Sequence, residues 1–335
     1  GLSDHIGWNG SGAGTTGNIT IQAADAGNNS GVNLSGLAIK TNGGSLKLGA
    51  MPFLAGADGT SASTGLGLGG FTIPNTLIAS GSIINNLSIG GVNNYGGITV
   101  NQPFGQGTLA GNTCTGGNCL TGSVTIENGG LYASGTNTVA TPAVLSPYST
   151  YGTYIYLAAP ITTQNQPLAI LAGQAVPNPA GQTTTYSTAP GNEYIYANLS
   201  SGGGDITLSN MNPITGAGSS NGYIGIAIGS SPSSTYTTVV IDASNTAANS
   251  GGNITINGAS NTSLQGIELD YTTLRTLGAG AINLLGKADS GGQKGLLFYQ
   301  GAVDISTENG DINLLGAAVS DQGFYINNAT NNYIS

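Results

Sequence analysis

The residues of this chain best placed to do chemistry are Glu268 and Asp270, in the run Ile267-Glu268-Leu269-Asp270-Tyr271. On an extended segment, side chains two apart leave the same face, with Cα atoms about 6.5–7 Å apart. Two carboxylates so placed could serve as the acid and base of a glycosidase or supply part of a calcium site. The plainer expectation is two solvated acids on an outward face. Asp304, Glu308 and Asp311 make a second acidic group. Asp311, however, stands at the turn position that Asn253 and Asp205 hold in equivalent segments, where Asp and Asn satisfy local backbone donors. A lyase would also need cations to stabilise an enolate. Arg275, Lys287 and Lys294 lie near the acids in sequence, but without a specific spacing. There is no Gly-x-Ser-x-Gly elbow with a His partner, and one His, His5, cannot build a multi-His metal site. The reading is therefore non-enzymatic, with no catalytic residues and no cofactor. Glu268 and Asp270 are the pair to consider for a cation.

Two further groups of residues stand out. Cys114 and Cys119 flank a Gly-Gly-Asn turn and can close a short loop if their Cα atoms come within about 7 Å. In an exported chain this reads as a disulfide clip, with free thiols as the alternative. Tyr154-Ile155-Tyr156 and Tyr194-Ile195-Tyr196 share one pattern, with the isoleucines inward and the tyrosines outward. Stacked in successive coils, Tyr154, Tyr156, Tyr194 and Tyr196 would form an external aromatic ladder suited to sugar or protein contact. Alternatively, a Pro-rich loop over 175–190 folds across them.

The elements that must position these residues are short and repeated. Gly252-Asn-Ile-Thr-Ile256, Gly280-Ala-Ile-Asn-Leu284 and Gly310-Asp-Ile-Asn-Leu314 recur after 28 and then 30 residues. Gly266, Gly295 and Gly323 open a second set roughly halfway between. Apolar residues two apart are the strand signature, and Ile254, Ile256, Ile282, Leu284, Ile312 and Leu314 should all point inward. Strands recurring at this period indicate a solenoid in which each coil buries its apolar side against the next. The signature extends back to Gly17-Asn-Ile-Thr-Ile21, Gly44-Ser-Leu-Lys-Leu48, Gly122-Ser-Val-Thr-Ile126 and Gly204-Asp-Ile-Thr-Leu208. Every window long enough for an amphipathic helix is broken by Gly, Pro or Asn. The expected fold is one right-handed parallel β-helix over 1–335, of about a dozen coils, its hand following the general rule for parallel crossovers. The span 136–190, with seven of the twelve prolines, is expected to form an irregular insertion or lateral loops. Residues 1–14, which hold His5 and Trp8, read as an irregular lead-in.

Composition narrows the function. Glycine supplies 58 of 335 residues and charged residues only 6%, against about 25% in ordinary soluble domains. A hydrophobic fraction of 39% nonetheless suffices for a continuous core, which argues for a folded chain. The net charge of −9, with Lys40, Lys47, Arg275, Lys287 and Lys294 as the only cations, argues against nucleic acid. No apolar run is long enough for a membrane-spanning helix, so no membrane insertion is expected.

The repeats Gly252-Asn-Ile-Thr-Ile256, Gly280-Ala-Ile-Asn-Leu-Leu-Gly286 and Gly310-Asp-Ile-Asn-Leu-Leu-Gly316 resemble those of filamentous-haemagglutinin-like exoproteins. These are bacterial adhesins exported by two-partner secretion, with right-handed β-helical shafts. The resemblance covers about 191–326 and more loosely 17–139. Pro177-Asn178-Pro179 does not match the family's secretion-domain motifs, so the chain resembles shaft. The resemblance implies a secreted, cell-surface protein that is structural and adhesive, with a glycan or a host or neighbouring cell surface as partner. It carries over no catalytic residues. Two alternatives stand beside it: a subunit of an extracellular filament built by end-to-end stacking, and a β-helical carbohydrate-active enzyme. Exposed apolar residues such as Phe324 and Ile326 would be covered by self-association or by further coils of a longer parent chain.

Overall fold

The Gly-x-Ile-x-Ile segments become parallel strands lying one above another in register. The computed structural model describes residues 4–6, 15–23, 33–50, 71–91, 94, 97–129, 131–134, 144–147, 154–174, 191–210, 224–229, 238–260, 264–289, 293–327 and 332–335. Among these there are strands and turns and no helix.

Three stacked sheets carry the coils. The longest has ten strands, nine of them in one path from Ile19–Ala23 through Asn42–Ala50, Ile83–Gly91, Val124–Gly129, Leu168–Gln174, Ile206–Ser209, Ile254–Ser260 and Ile282–Ala288 to Ile312–Ala318. The second has eight strands and includes Ile98–Val100, Tyr154–Leu157, Asn192–Ile195, Ile226–Ile228, Ile267–Leu269, Leu296–Phe298 and Phe324–Ile326. The third has six, from Ile161–Thr162 to Tyr333–Ile334. Pairing within these three sheets is parallel, for example Ile254 beside Ile282 and Ile282 beside Ile312. The chain is a parallel β-helix.

Coil length varies more than the C-terminal repeat suggested. Equivalent residues Asn253 and Ala281 are 28 apart, and Asn283 and Asn313 are 30 apart. Asp205 and Asn253, also equivalent, are 48 apart. Among the described residues the main stack has nine strands. Nine strands at about 4.8 Å make a rod segment of roughly 40 Å.

The 136–190 span is partly regular. Tyr154–Leu157, Ile161–Thr162 and Leu168–Gln174 give one strand to each sheet and complete a coil. Val144–Pro147 pairs antiparallel with Leu131–Ser134. At the start of the chain, Asp4–Ile6 pairs with Leu37–Ile39, so His5 lies in a strand. Trp8 and the spans 51–70 and 175–190, the latter expected to fold across the tyrosines, lie outside the described residues.

Alternation sets the interior. Ile254, Ile256 and Ile282 are fully buried and Leu284 is 1% exposed. Ile312 and Leu314 pack against that core from the last coil and are partly buried. The glycines that open each repeat have a steric cause. A Cβ on Gly310 would run into the carbonyl of Gly280, and one on Gly252 into that of Gly204. Backbones at this corner stack too closely for any side chain. Beside it, the turn position forms a polar ladder: Asn253 N donates to Asp205 Oδ1 (2.7 Å), and Ala281 N donates to Asn253 Oδ1 (3.0 Å). That places the Asp and Asn residues of the repeat in backbone capping, as turn chemistry predicts.

Leu284 and Leu285 test the alternation directly, because they are adjacent and face opposite ways. Leu284→Asp buries an unpaired charge and should cost several kcal/mol, on the order of 3 or more. Leu285→Asp, on a side chain 37% exposed, should cost about 0.5 kcal/mol or less. Urea denaturation of the two variants checks this, and equal costs would contradict the inward–outward assignment.

Candidate functional site

The outer side of the second sheet brings together two groups that are more than 70 residues apart in sequence. Register links Tyr156 to Tyr194, Tyr194 to Ala227, Ala227 to Glu268, Glu268 to Leu297 and Leu297 to Tyr325. Tyrosines and acid pair thus share one outward ladder along the rod, separated by the single small residue Ala227.

The aromatic ladder forms with a shifted register. Tyr156 stands opposite Tyr194, while Tyr154 stands opposite Asn192. The two Tyr-Ile-Tyr motifs are therefore offset by two residues, which keeps both on the same face. Tyr196 packs edge-on to Tyr156 with ring centroids 5.0 Å apart and stacks on Tyr194 at 6.2 Å. Ile155 and Ile195 are fully buried, as the alternation requires. Tyr154 is the exposed member, and its ring lies over Gly97, where a Cβ would collide with it. Burial is the largest cause raising the Tyr196 hydroxyl above its usual range, with Tyr194, Tyr156, Glu268 and Asp270 adding to it.

The acid pair is not solvated, which corrects the expectation from its outward position. Glu268 is 7% and Asp270 2% exposed. The physical reason is that the outward side is itself buried here: Ala227 and Leu297, the register neighbours of Glu268, are 1% and 3% exposed. Burial, followed by the Asp270 charge and a hydrogen bond with Asp270, pushes Glu268 from 4.5 up to about 8. At neutral pH Glu268 is thus mainly a carboxylic acid hydrogen-bonded to Asp270. Asp270 Oδ1 also accepts from Gln300 N (3.0 Å). Immediately after it, Tyr271 turns the chain with φ 45°, in the left-handed region that costs a bulky residue energy. Thr272 Oγ1 closes this corner by donating to Asp270 O and Ile228 O.

The cations that elimination chemistry would need beside these acids are engaged elsewhere. Arg275 binds Asp242 through Nε and Nη2, Lys287 pairs with Asp289 at 3.1 Å, and Lys294 with Asp321 at 2.8 Å. Glu308 accepts from Gly278 N (2.9 Å), a turn-capping role. Among the described residues no group of three or more His, Cys, Asp or Glu is placed to hold a metal.

Cys114 and Cys119 are bonded to each other, with Cα atoms 5.9 Å apart. The bond ties Cys114, on the second strand of the hairpin Thr108–Ala110/Thr113–Thr115, to Cys119, which pairs with Ile83 in the long sheet, and both pack with Ile83 and Leu109 in a small cluster apart from the main core. Gly107 lies against both sulfurs, where a Cβ would crowd them. The clip is structural and separate from the tyrosine–acid face.

Sequence reasoning missed Glu193. It lies within the second Tyr-bearing strand, Asn192–Ile195, at an interior rung with 0% exposure. The signal was available: if Tyr194 and Tyr196 face out, Glu193 must face in with Ile195. No family model, no curated protein and no solved structure matches this chain.

Glu268 gives the face a pH signature. Its folded-state affinity for the proton is raised, so its stabilising contribution is full below about pH 4.5 and is lost as pH rises towards about 8. The slope from one such group is at most about 1.4 kcal/mol per pH unit. In denaturation curves taken across that window, Glu268→Gln should lose less stability than the parent chain. Identical pH profiles would show that Glu268 titrates like a solvated carboxylate.

Proposed function

We propose that this chain is a segment of a β-helical shaft of a secreted bacterial surface protein, structural and adhesive, of the filamentous-haemagglutinin-like kind. The supporting observation is the outward group of Tyr156, Tyr194 and Tyr196 on a continuous rod. Aromatic rings in contact with one another offer flat apolar faces and hydroxyl tips, which suit sugar rings and protein surfaces. A parallel β-helix holds such a group rigidly, because each strand bearing a tyrosine is hydrogen-bonded to the coil on either side. The partner class is a glycan or a cell-surface protein outside the cell.

Adhesion is tested on a glycan array and on immobilised cells. Tyr194→Ala with Tyr196→Ala should lower binding about tenfold while leaving the folded rod intact. Retained binding would place the contact elsewhere. Turnover in a reducing-sugar assay that is abolished by Glu268→Gln would instead establish a carbohydrate-active enzyme.

A further inference from the structure

Glu193 occupies a position that its neighbours fill with isoleucine. In register it lies between Ile155 of the preceding coil and Ile226 of the following one. Its carboxyl crosses the interior to the long sheet, where Oε1 accepts from Ala172 N and from Ser209 N, both at 3.1 Å. Those amides belong to consecutive strands, Leu168–Gln174 and Ile206–Ser209, near the corner where the chain leaves the long sheet. One oxygen thus ties two successive coils to the second sheet. The other, Oε2, is buried without a hydrogen-bond partner.

Neutral amides do comparable work at the same corner. Asn128 Oδ1 accepts from Gly173 N (2.8 Å), and its Nδ2 donates to Tyr154 O (3.1 Å). Asn210 Oδ1 accepts from Ala259 N (2.7 Å), while its Nδ2 donates to Gly191 O and Ala259 O. A glutamine at 193 would supply the same acceptor. Glutamate differs in carrying a proton that can leave. Protonated, it presents a carbonyl Oε1 to the two N–H donors and keeps the proton on Oε2. Ionised, it places a full charge in an apolar interior. The strands packed against it, Leu168–Gln174, Ile206–Ser209 and Ile226–Ile228, carry no charged side chain. The titratable groups on Tyr154–Leu157 and on its own strand are Tyr154, Tyr156 and Tyr194, with Tyr196 just beyond, and all four face outward. No cation among them can compensate the charge.

We propose that Glu193 is a proton-operated latch. Protonated, it clamps the coils of Leu168–Gln174, Asn192–Ile195 and Ile206–Ser209 together, and on losing its proton it lets that corner open. The tyrosine group lies on the outward side of the clamped strands, so opening would loosen the face proposed above for adhesion. The latch itself does not depend on that reading. Burial raises the carboxyl well above the usual carboxylate range, and the two backbone donors only partly oppose this. The clamp is therefore complete below the ordinary carboxyl range and weakens as pH rises through the folded-state titration.

Hydrogen exchange at the amides of Ala172 and Ser209, corrected for intrinsic rates, reads the corner directly. In the parent chain their protection should fall by up to tenfold per pH unit once Glu193 begins to ionise in the open state. In Glu193→Gln it should stay level. Glu127 and Glu268, whose carboxyls burial also raises, are present in both proteins, so the difference isolates Glu193. Parallel pH profiles in the two proteins would overturn the latch. Should Glu193→Gln fail to fold, ¹³C-carboxyl spectra of the parent chain decide. The Glu193 resonance should hold its protonated shift through about pH 4–5, and an ordinary titration there would overturn the proposal.

Discussion

Everything in this structure depends on backbones stacking in register at the strand spacing. Once coils repeat at that distance, each position along the chain meets the same position above and below it. Isoleucine falls on isoleucine, turn asparagine on turn aspartate, and glycine on glycine where carbonyls leave no room for a Cβ. Core, ladder and corner are three outcomes of one repeat. The stability of such a rod is a sum of coil intrinsic terms and nearest-neighbour contacts. Damage to one coil therefore acts locally, and length does not strain the core.

The same constraint explains what the sequence made legible. Period-two alternation identified the buried faces of Ile254, Ile256, Ile282 and Leu284, and the leading glycines located the corners. The cysteine pair was readable because a disulfide needs only short-range geometry. Long-range register was harder. The two Tyr-Ile-Tyr motifs look superimposable, yet they stack two residues out of step, because the intervening coil sets where each strand begins. Coil length was hard to read for a related reason, since the spacing in the middle of the chain departs from the C-terminal period. Alternation also says which side a residue takes but not whether that side meets water. Glu268 and Asp270 lie outward and are nevertheless buried.

Glu193 escapes a reading by residue type alone. Strict alternation placed it inward, against the expectation that charge stays outside. Three glutamates in this acidic, charge-poor chain are held towards their neutral forms by burial: Glu127, Glu193 and Glu268. Carboxyls of this kind favour the folded state at low pH, the reverse of salt-bridged acids. At these three positions low pH favours the folded rod, and the outward Tyr194 and the inward Glu193 lie on one strand, Asn192–Ile195.

In-register parallel stacking is tested most directly by cross-linking across one rung. Thr255 and Asn283 are register partners on the outward side of the long sheet. Neighbouring strands place such Cα atoms about 4.8 Å apart, within the range a disulfide spans. Thr255→Cys combined with Asn283→Cys should form an intramolecular disulfide under mild oxidation. Thr255→Cys combined with Leu285→Cys, one rung out of step on the same face, should not. Bonding in the second pair and none in the first would contradict the stacking on which the whole structure rests.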